Sequence, residues 1–79
     1  MSFVYILKSI NNEKFYVGST TDIKRRILEH NRGCTVYTKR YMPWKIIYTE
    51  NYVNLSEARK REKYLKSASG RKFTKTIPW

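Results

Sequence analysis

Residues 3–18 read FVYILKSINNEKFYVG, and this stretch decides the fold. It holds two runs rich in β-branched and aromatic residues, 3–8 and 14–18, which indicate two β-strands. Between the runs, Asn11-Asn12 suits a two-residue hairpin turn, because asparagine tolerates positive φ. The chain is therefore expected to begin with a β-hairpin.

The register of this hairpin fixes which side chains share a face. The predicted turn pairs Leu7 with Tyr16, and it makes Tyr5 and Tyr16 diagonal neighbours on one face of the sheet. A slip of one residue would put the two tyrosines on opposite faces. The sequence therefore predicts that Tyr5 and Tyr16 lie on the same face of the sheet.

A helix is predicted after the hairpin. Residues 19–22 are all helix-capping types, and residues 23–31 follow with helical spacing up to a stop at Gly33. Residues 34–43 are expected to form a loop in which Tyr37 and Tyr41 pack.

The second half of the chain predicts a strand and a further helix. Residues 44–50 are typical of a strand, with Ile46 and Tyr48 on one face and Ile47 on the other. The order Asn54-x-x-Glu57 resembles a capping box, which starts a helix that runs to about Ala68.

The predicted order of elements is ββαβα. It indicates an α+β fold with a small, mainly antiparallel three-stranded sheet flanked by helices. The length of 79 residues allows a single domain over residues 1–79. Residues 69–79 form a basic tail, for which the pattern leaves order and flexibility open.

Charge points to the class of partner. Seventeen Lys and Arg residues against six Asp and Glu residues give a net charge of +11, and both halves of the chain are basic. A polyanion is the partner that such a domain attracts, and nucleic acid is the commonest polyanion. The alternative is a basic protein without a polyanion partner, whose charge only prevents aggregation.

Cysteine and hydropathy bear on the compartment. The lone Cys34 cannot form an intramolecular disulfide, and with a single histidine a zinc site is nearly excluded. We interpret Cys34 as a small loop residue. No apolar run approaches a membrane span and no secretory leader opens the sequence, so we expect a cytoplasmic protein without a membrane partner.

Two charged side chains lie on unexpected sides of their predicted helices. At about 100° per residue, Arg26 and His30 border the apolar stripe of the first helix, whereas Arg25 and Glu29 form a surface pair. In the second helix Glu62 falls inside the stripe that faces the core, where a carboxylate needs a partner or a metal. From the pattern alone, a structural Arg26–Glu62 ion pair and a functional site are equally open.

These residues together resemble a known family. Val4-Tyr5-Ile6, then Tyr16-Val17-Gly18, then Arg-Arg-Ile-x-Glu-His on a helix, are similar to the GIY-YIG nuclease domain. Valine stands for the first glycine of the family name. The resemblance covers residues 3 to about 68 and is closest to small standalone bacterial members, which are described as endonucleases.

The resemblance implies hydrolysis of DNA phosphodiester bonds with one Mg²⁺ or Mn²⁺ ion. Arg26 corresponds to the catalytic arginine of the family, and Glu62 corresponds to the glutamate that binds the metal. Tyr5 or Tyr16 would position or deprotonate water, and His30 is the other candidate base because its ordinary pKa lies nearer neutrality.

Further residues are candidates for contact with nucleic acid. Gly18 can let a phosphate backbone approach closely, and several polar or basic residues, with Lys8, are expected as phosphate contacts without sequence choice: Ser19, Lys24, Arg25, Thr38, Lys39 and Arg40. Three positions depart from some family members, which have a lysine at the position of Ser19, a tyrosine at that of His30 and an asparagine near that of Thr74.

Two other functions remain open. A catalytically inactive nucleic-acid-binding module on the same fold explains the charge, but it leaves the set of Tyr5, Tyr16, Arg26 and Glu62 unexplained. An RNA-associated protein of the translation machinery is a weaker third interpretation. Family members often take specificity from an attached domain, so we expect either that the structure of the nucleic acid is recognised or that a protein partner supplies the targeting.

Overall fold

The computed structural model describes residues 1–33 and 35–78, so the interpretation of Cys34 lies outside it. Within those residues the elements are β1 (Ser2–Ser9), β2 (Phe15–Thr20), α1 (Ile23–Asn31), α2 (Val36–Tyr41), β3 (Trp44–Tyr52), α3 (Leu55–Leu65) and α4 (Ala68–Lys75). The strands form one antiparallel sheet in the order β2-β1-β3. This confirms the predicted α+β class. In the described part of the chain, no helix has the length and apolarity needed to cross a bilayer.

The hairpin has the predicted register but not the predicted tight turn. Leu7 pairs with Tyr16, as the sequence indicates. The last hydrogen bond of the hairpin runs from the Ser9 N–H to the Lys14 carbonyl at 3.0 Å, and neither residue of Asn11-Asn12 has positive φ. The longer loop keeps the same register without the left-handed backbone that is costly for residues other than glycine.

Helix α1 has the predicted bounds, and its ends are well determined by sequence. The Asp22 side chain caps the start by accepting a hydrogen bond from the Arg25 N–H at 3.1 Å. At the other end, Gly33 has φ of +79° directly after the C-cap residue Arg32. Glycine adopts this left-handed conformation at no steric cost, which ends the helix.

The loop expected over residues 34–43 is wrong for most of its length, because α2 forms there. Thr38 is fully buried in this helix, and its carbonyl accepts a hydrogen bond from the Trp44 indole at 2.8 Å. The rings of Tyr37 and Tyr41 pack with centroids 5.3 Å apart, as predicted. A helix this short depends on such tertiary contacts, so its own sequence predicts it weakly.

Strand β3 contains a register shift that changes which side chains share a face. Tyr48 lies opposite Ile6, but Ile46 lies opposite Leu7, which places the irregularity at Ile47. Ile47 and Tyr48 both pack against the cluster that includes Ile6. The prediction that Ile46 and Tyr48 share a face is therefore wrong, because one extra residue inverts the alternation of the strand.

The end of the chain is more ordered than the sequence pattern indicates. Helix α3 ends at Leu65 rather than near residue 68, and a new helix follows, with the Ser67 side chain as its N-cap. Gly70 packs so closely on α3 that a Cβ atom there would overlap the Leu65 backbone. Much of the tail expected over residues 69–79 is thus a helix held against the body of the domain.

The central strand β1 divides the core into two halves. Val4 and Ile6 face α3 and α4 on one side of the sheet. Tyr5 and Leu7 face the other side, where they meet Trp44 and helix α1. The alternation of β1 thereby sends its tyrosine to the face that α1 covers.

Candidate active site

The two tyrosines of the hairpin lie on the face covered by α1, with ring centroids 6.2 Å apart. Gly18 makes this possible, because it lies directly opposite Tyr5 in the register. A Cβ atom at Gly18 would overlap the Tyr5 hydroxyl and would come within 3.0 Å of the Tyr16 ring. The expectation that Gly18 leaves room for a phosphate is therefore wrong: Gly18 is buried, and the Tyr5 hydroxyl occupies that space.

Arg26 extends from α1 toward both tyrosine hydroxyls. Its Nη1 also donates a hydrogen bond to Glu29 Oε1 at 3.0 Å. Partial burial lowers the pKa of Arg26, but the interactions with Glu29, Tyr5 and Tyr16 outweigh this effect and raise it overall. The guanidinium is therefore a permanent positive charge on the tyrosine face.

The environment of Tyr5 favours the neutral phenol. Burial raises the pKa of Tyr5 to about 12, and the charge of Glu62 adds to this effect while Arg26 opposes it. Tyr5 is 2% exposed, whereas Tyr16 is half-buried. A standing phenolate at Tyr5 is thus disfavoured near neutral pH.

His30 lies behind the tyrosines and is fully buried. Its Nε2 is 2.9 Å from the Tyr5 hydroxyl, and its ring centroid is 4.7 Å from that of Tyr16. Burial and the charge of Arg26 lower the pKa of His30 to about 4, so the imidazole is neutral near pH 7. His30 therefore has no direct contact surface for a substrate and can act only through Tyr5.

Two expected phosphate contacts are buried instead. Thr38 lies inside the domain, where its Oγ1 is 3.0 Å from His30 Nδ1. Lys8 is 7% exposed, and its Nζ donates to the carbonyls of Ser9 and Asn12 at 3.1 and 3.2 Å. The prediction for Thr38 failed because α2 was not foreseen, and this helix turns the threonine inward.

The other expected phosphate contacts on α1 and α2 are exposed. They are Lys24, Arg25, Lys39 and Arg40. Arg25 Nε donates to Glu29 Oε2 at 3.3 Å, which confirms the predicted surface pair. These residues are accessible to a polyanion, although Arg25 is partly neutralised.

Glu62 stands beside the β2 edge with its side chain 21% exposed. Its Oε1 accepts a hydrogen bond from the Ser19 hydroxyl at 2.5 Å, and its Oε2 pairs with Lys66 Nζ at 2.6 Å. Arg26 pairs with Glu29 instead, so the alternative of an Arg26–Glu62 ion pair is wrong. Glu62 is nevertheless close enough for its charge to raise the pKa of Tyr5.

The donor set at Glu62 fits a magnesium-type ion and does not fit zinc. No group of three or more His, Cys, Asp or Glu side chains capable of holding a metal occurs within residues 1–33 and 35–78. Mg²⁺ commonly binds through one or two carboxylates and completes its shell with water and substrate phosphate oxygens. The Glu62–Lys66 ion pair would not prevent a metal ion from binding to Glu62. Lys66 is half-exposed, and such i,i+4 pairs contribute only about 0.3–0.5 kcal/mol to stability.

The third departure from some family members lies in α4. Thr74, near the position where some family members have an asparagine, is buried in α4, and its Oγ1 donates to the Gly70 carbonyl at 3.0 Å. This hydroxyl is thus used within its own helix. No amide side chain comes to the site from that position.

Nearly the whole chain carries the signature of one family. It matches the GIY-YIG catalytic domain over residues 1–76, so it belongs to that family and to the nuclease superfamily that the domain defines. This confirms the resemblance to the GIY-YIG family.

Individual relatives and a solved structure are similar to this chain over most of its length. A UPF0213 protein of Clostridium perfringens is 43% identical over 67 residues, which is 84% of this chain and 71% of the relative. A UPF0213 protein of Staphylococcus epidermidis is 38% identical over 76 residues, or 95% of this chain and 92% of the relative. The solution NMR structure of a UPF0213 protein from Bacillus halodurans is similar with a TM-score of 0.56 and 30% identity, and the match covers 96% of this chain and 84% of that one.

Proposed function

We propose that this chain is a divalent-metal-dependent endonuclease that hydrolyses phosphodiester bonds of DNA. The observation that supports the proposal is the placement of Arg26 against the hydroxyls of Tyr5 and Tyr16, with the Glu62 carboxylate nearby. A permanent cation, two hydroxyls and a carboxylate are the groups needed to bind a phosphate, orient water and hold a metal. Membership of the GIY-YIG family supports the same class of reaction.

Arg26 and Glu62 would handle the charge of the phosphate. The planar guanidinium of Arg26 can donate two parallel hydrogen bonds to phosphate oxygens, and these bonds strengthen as negative charge develops in the transition state. Glu62 would hold Mg²⁺ or Mn²⁺, and its Ser19 contact fixes the carboxylate. The bound cation supplies polarisation of the phosphate and stabilisation of the leaving oxygen.

The tyrosines would orient the attacking water. Tyr16 is the more accessible of the two and would orient the water directly. Tyr5 would act together with His30, because its pKa of about 12 disfavours a free phenolate. As a neutral phenol, Tyr5 would donate its hydrogen bond to His30 Nε2, 2.9 Å away, and its oxygen would help to orient the water without proton transfer to His30, whose pKa of about 4 disfavours the imidazolium.

Thr38 would set the His30 tautomer that this hydrogen bond requires. If His30 Nδ1–H donates to Thr38 Oγ1, then Nε2 presents its lone pair to the Tyr5 hydroxyl. The Thr38 hydroxyl in turn points toward the Thr35 carbonyl, 3.5 Å away. In this series of hydrogen bonds, which runs from Tyr5 through His30 and Thr38 to Thr35, every polar atom then has a donor or an acceptor opposite it.

The test is Glu62→Gln, which keeps the side-chain shape and removes the charge. We expect nicking of plasmid, single-stranded and branched DNA in Mg²⁺ or Mn²⁺ to fall by about a hundredfold or more, the scale for losing a group that stabilises transition-state charge. Binding of DNA in chelator should persist or tighten, because a negative charge leaves the surface. The free energy of unfolding should change by less than about 1 kcal/mol, since Glu62 has only a surface pair and one hydroxyl contact.

Glu57→Gln is the matched control, because Glu57 lies exposed in the first turn of the same helix. It should leave cleavage unchanged. A wild-type protein that binds DNA but cleaves no tested nucleic acid with either metal would replace the endonuclease by an inactive binding module.

A further inference from the structure

We infer that an open cleft along the outer edge of β2 binds the sugar-phosphate backbone of a nucleic-acid strand and leads it to Tyr16. The cleft has a volume of about 690 Å³ and is bounded by β2 on one side and by the ends of α3 and α4 on another. This inference rests on the proposed function for what happens at Tyr16. It goes further by assigning a binding site to the C-terminal helix.

The charge of the cleft is strongly positive. Lys14, Lys66, Arg71 and Lys75 line it, against the single acidic residue Glu13. Lys66 also pairs with Glu62, whereas helix α4 contains no acidic side chain that would balance its own cations. A run of cations that acids do not balance is complementary to a row of phosphates.

Helix geometry explains why α4 presents these cations together. Arg71 and Lys75 are four residues apart and therefore lie on one face of the helix. The neighbouring face of α4, about 100° around the helix, is fixed to the domain by Gly70, which packs against the Leu65 backbone, and by the buried Thr74. The exposed cations are thus held in place by a docked helix rather than by a loose tail.

The cleft is continuous with the candidate active site. Tyr16 lines the cleft and also packs on His30 with ring centroids 4.7 Å apart. Tyr37, which is 45% exposed, stands beside it with a centroid separation of 6.1 Å. A backbone that follows the cations would therefore reach the tyrosine face, and the exposed ring offers a surface on which a base can stack.

The test measures binding without cleavage. Arg71→Glu with Lys75→Glu is compared with Lys45→Glu and Lys60→Glu, a control that lowers the net charge by the same four units. Lys45 is exposed on β3, at the opposite edge of the sheet, and Lys60 is an exposed residue of α3 outside the cleft. Affinity for a labelled oligonucleotide is measured by fluorescence anisotropy in chelator over a range of NaCl concentrations, and the thermal midpoint confirms that each variant folds.

We expect the cleft variant to lose tenfold or more in affinity at low salt. Its slope of log K against log salt should become shallower by about 1.4 for a single strand or about 1.8 for a duplex, which corresponds to two lost phosphate contacts. The control should keep the wild-type slope. Single-stranded and duplex oligonucleotides are tested separately. The one whose binding changes more in the cleft variant is the one that the cleft binds.

Equal losses in the two variants would overturn the inference, because long-range charge alone would then explain binding. Loss of polyglutamate binding without loss of oligonucleotide binding would also overturn it, in favour of an acidic protein partner. Failure of the proposed function is a separate result: a protein that cleaves nothing can still show the cleft-specific change in slope.

Discussion

Gly18 determines whether the Tyr5 hydroxyl can occupy its place. In a strand, Gly→Ala would ordinarily stabilise, by roughly 0.5–1 kcal/mol. Here the new Cβ would meet the Tyr5 hydroxyl and would lie 2.6 Å from Cζ of the same ring, which is buried and cannot swing away. We therefore expect Gly18→Ala to lower the free energy of unfolding by about 1–3 kcal/mol, measured by urea denaturation, and to reduce cleavage.

A Tyr5→Leu background supplies the control for this prediction. Leucine has no atoms at the position of the hydroxyl, so the cost of Gly18→Ala should shrink in that background. An unchanged cost would mean that the alanine clashes with something other than Tyr5.

His30 makes stability depend on pH in a defined window. Because the pKa of His30 falls to about 4 on folding, from about 6.5, the unfolded chain takes up the proton first as the pH is lowered. The stabilising contribution of neutral His30 is full above about pH 6.5 and is lost as the pH falls toward 4. The loss is on the order of 3 kcal/mol, from about 1.4 kcal/mol per pKa unit.

Urea denaturation of wild type and of His30→Gln at several pH values tests this prediction. Glutamine does not titrate, so the free-energy difference between the two proteins should shift against wild type between pH 7 and pH 4.5. The prediction would be contradicted if the free energies of unfolding of the two proteins changed in parallel with pH. The comparison also removes the effect of acidic groups such as Glu29, whose pKa is lowered by hydrogen bonding to Arg26.

Elements with strong local signals were predictable from sequence, and those that depend on packing were not. Helix α1 has a capping aspartate and a terminal glycine, and the hairpin register follows from alternation, so both were predicted correctly. Helix α2 is short, and α4 follows α3 after only two residues, so neither stands out in the pattern. The register shift in β3 leaves no mark in its sequence, because Ile46 and Ile47 are chemically alike.

Helix α4 depends on a close contact that one methyl group would break. Gly70→Ala would favour an isolated helix by up to about 1 kcal/mol. In this fold, however, the Cβ would overlap the Leu65 backbone, which cannot move without disturbing α3. We expect a loss of about 1–3 kcal/mol in the free energy of unfolding and faster hydrogen exchange of the α4 amides.

Ser69→Ala is the control within the same helix, because Ser69 is exposed. Its effect on unfolding should stay within about 0.5 kcal/mol. A neutral or stabilising effect of Gly70→Ala would show that α4 does not pack against α3 as in the structure. The docked helix would then no longer explain how Arg71 and Lys75 are held in the cleft.

At the scale of the whole molecule, the candidate site draws on residues distant in sequence, and the sequence predicted only part of it. Tyr5, Tyr16 and Arg26 could be related because alternation in strands and periodicity in helices fix their faces. The inward turn of Thr38 and the pairing of Glu62 with Lys66 were missed, since both depend on how helices pack against the sheet. Spacing alone does not contain that information.

The net charge of +11 should make salt act in opposite directions on folding and on binding. The molecule measures 31 × 27 × 20 Å, comparable to the Debye length of about 30 Å at 0.01 M salt, so at low salt nearly all of its cations repel one another. Raising NaCl from about 0.01 to 0.15 M shortens this length to about 8 Å. The repulsion in the compact state is then screened, and the thermal midpoint of the free protein should rise.

The same change in salt should weaken binding of DNA, because each neutralised phosphate releases counterions and contributes about −0.9 to the slope of log K against log salt on a duplex. Four such contacts would give a slope of about −3.6, with little difference between unrelated sequences, since phosphate contacts carry no sequence information. Thermal denaturation and anisotropy in one series of buffers measure both effects. A midpoint that falls with salt would show that the surface ion pairs outweigh the repulsion, and an affinity that does not change would show that the protein does not hold DNA by its phosphates.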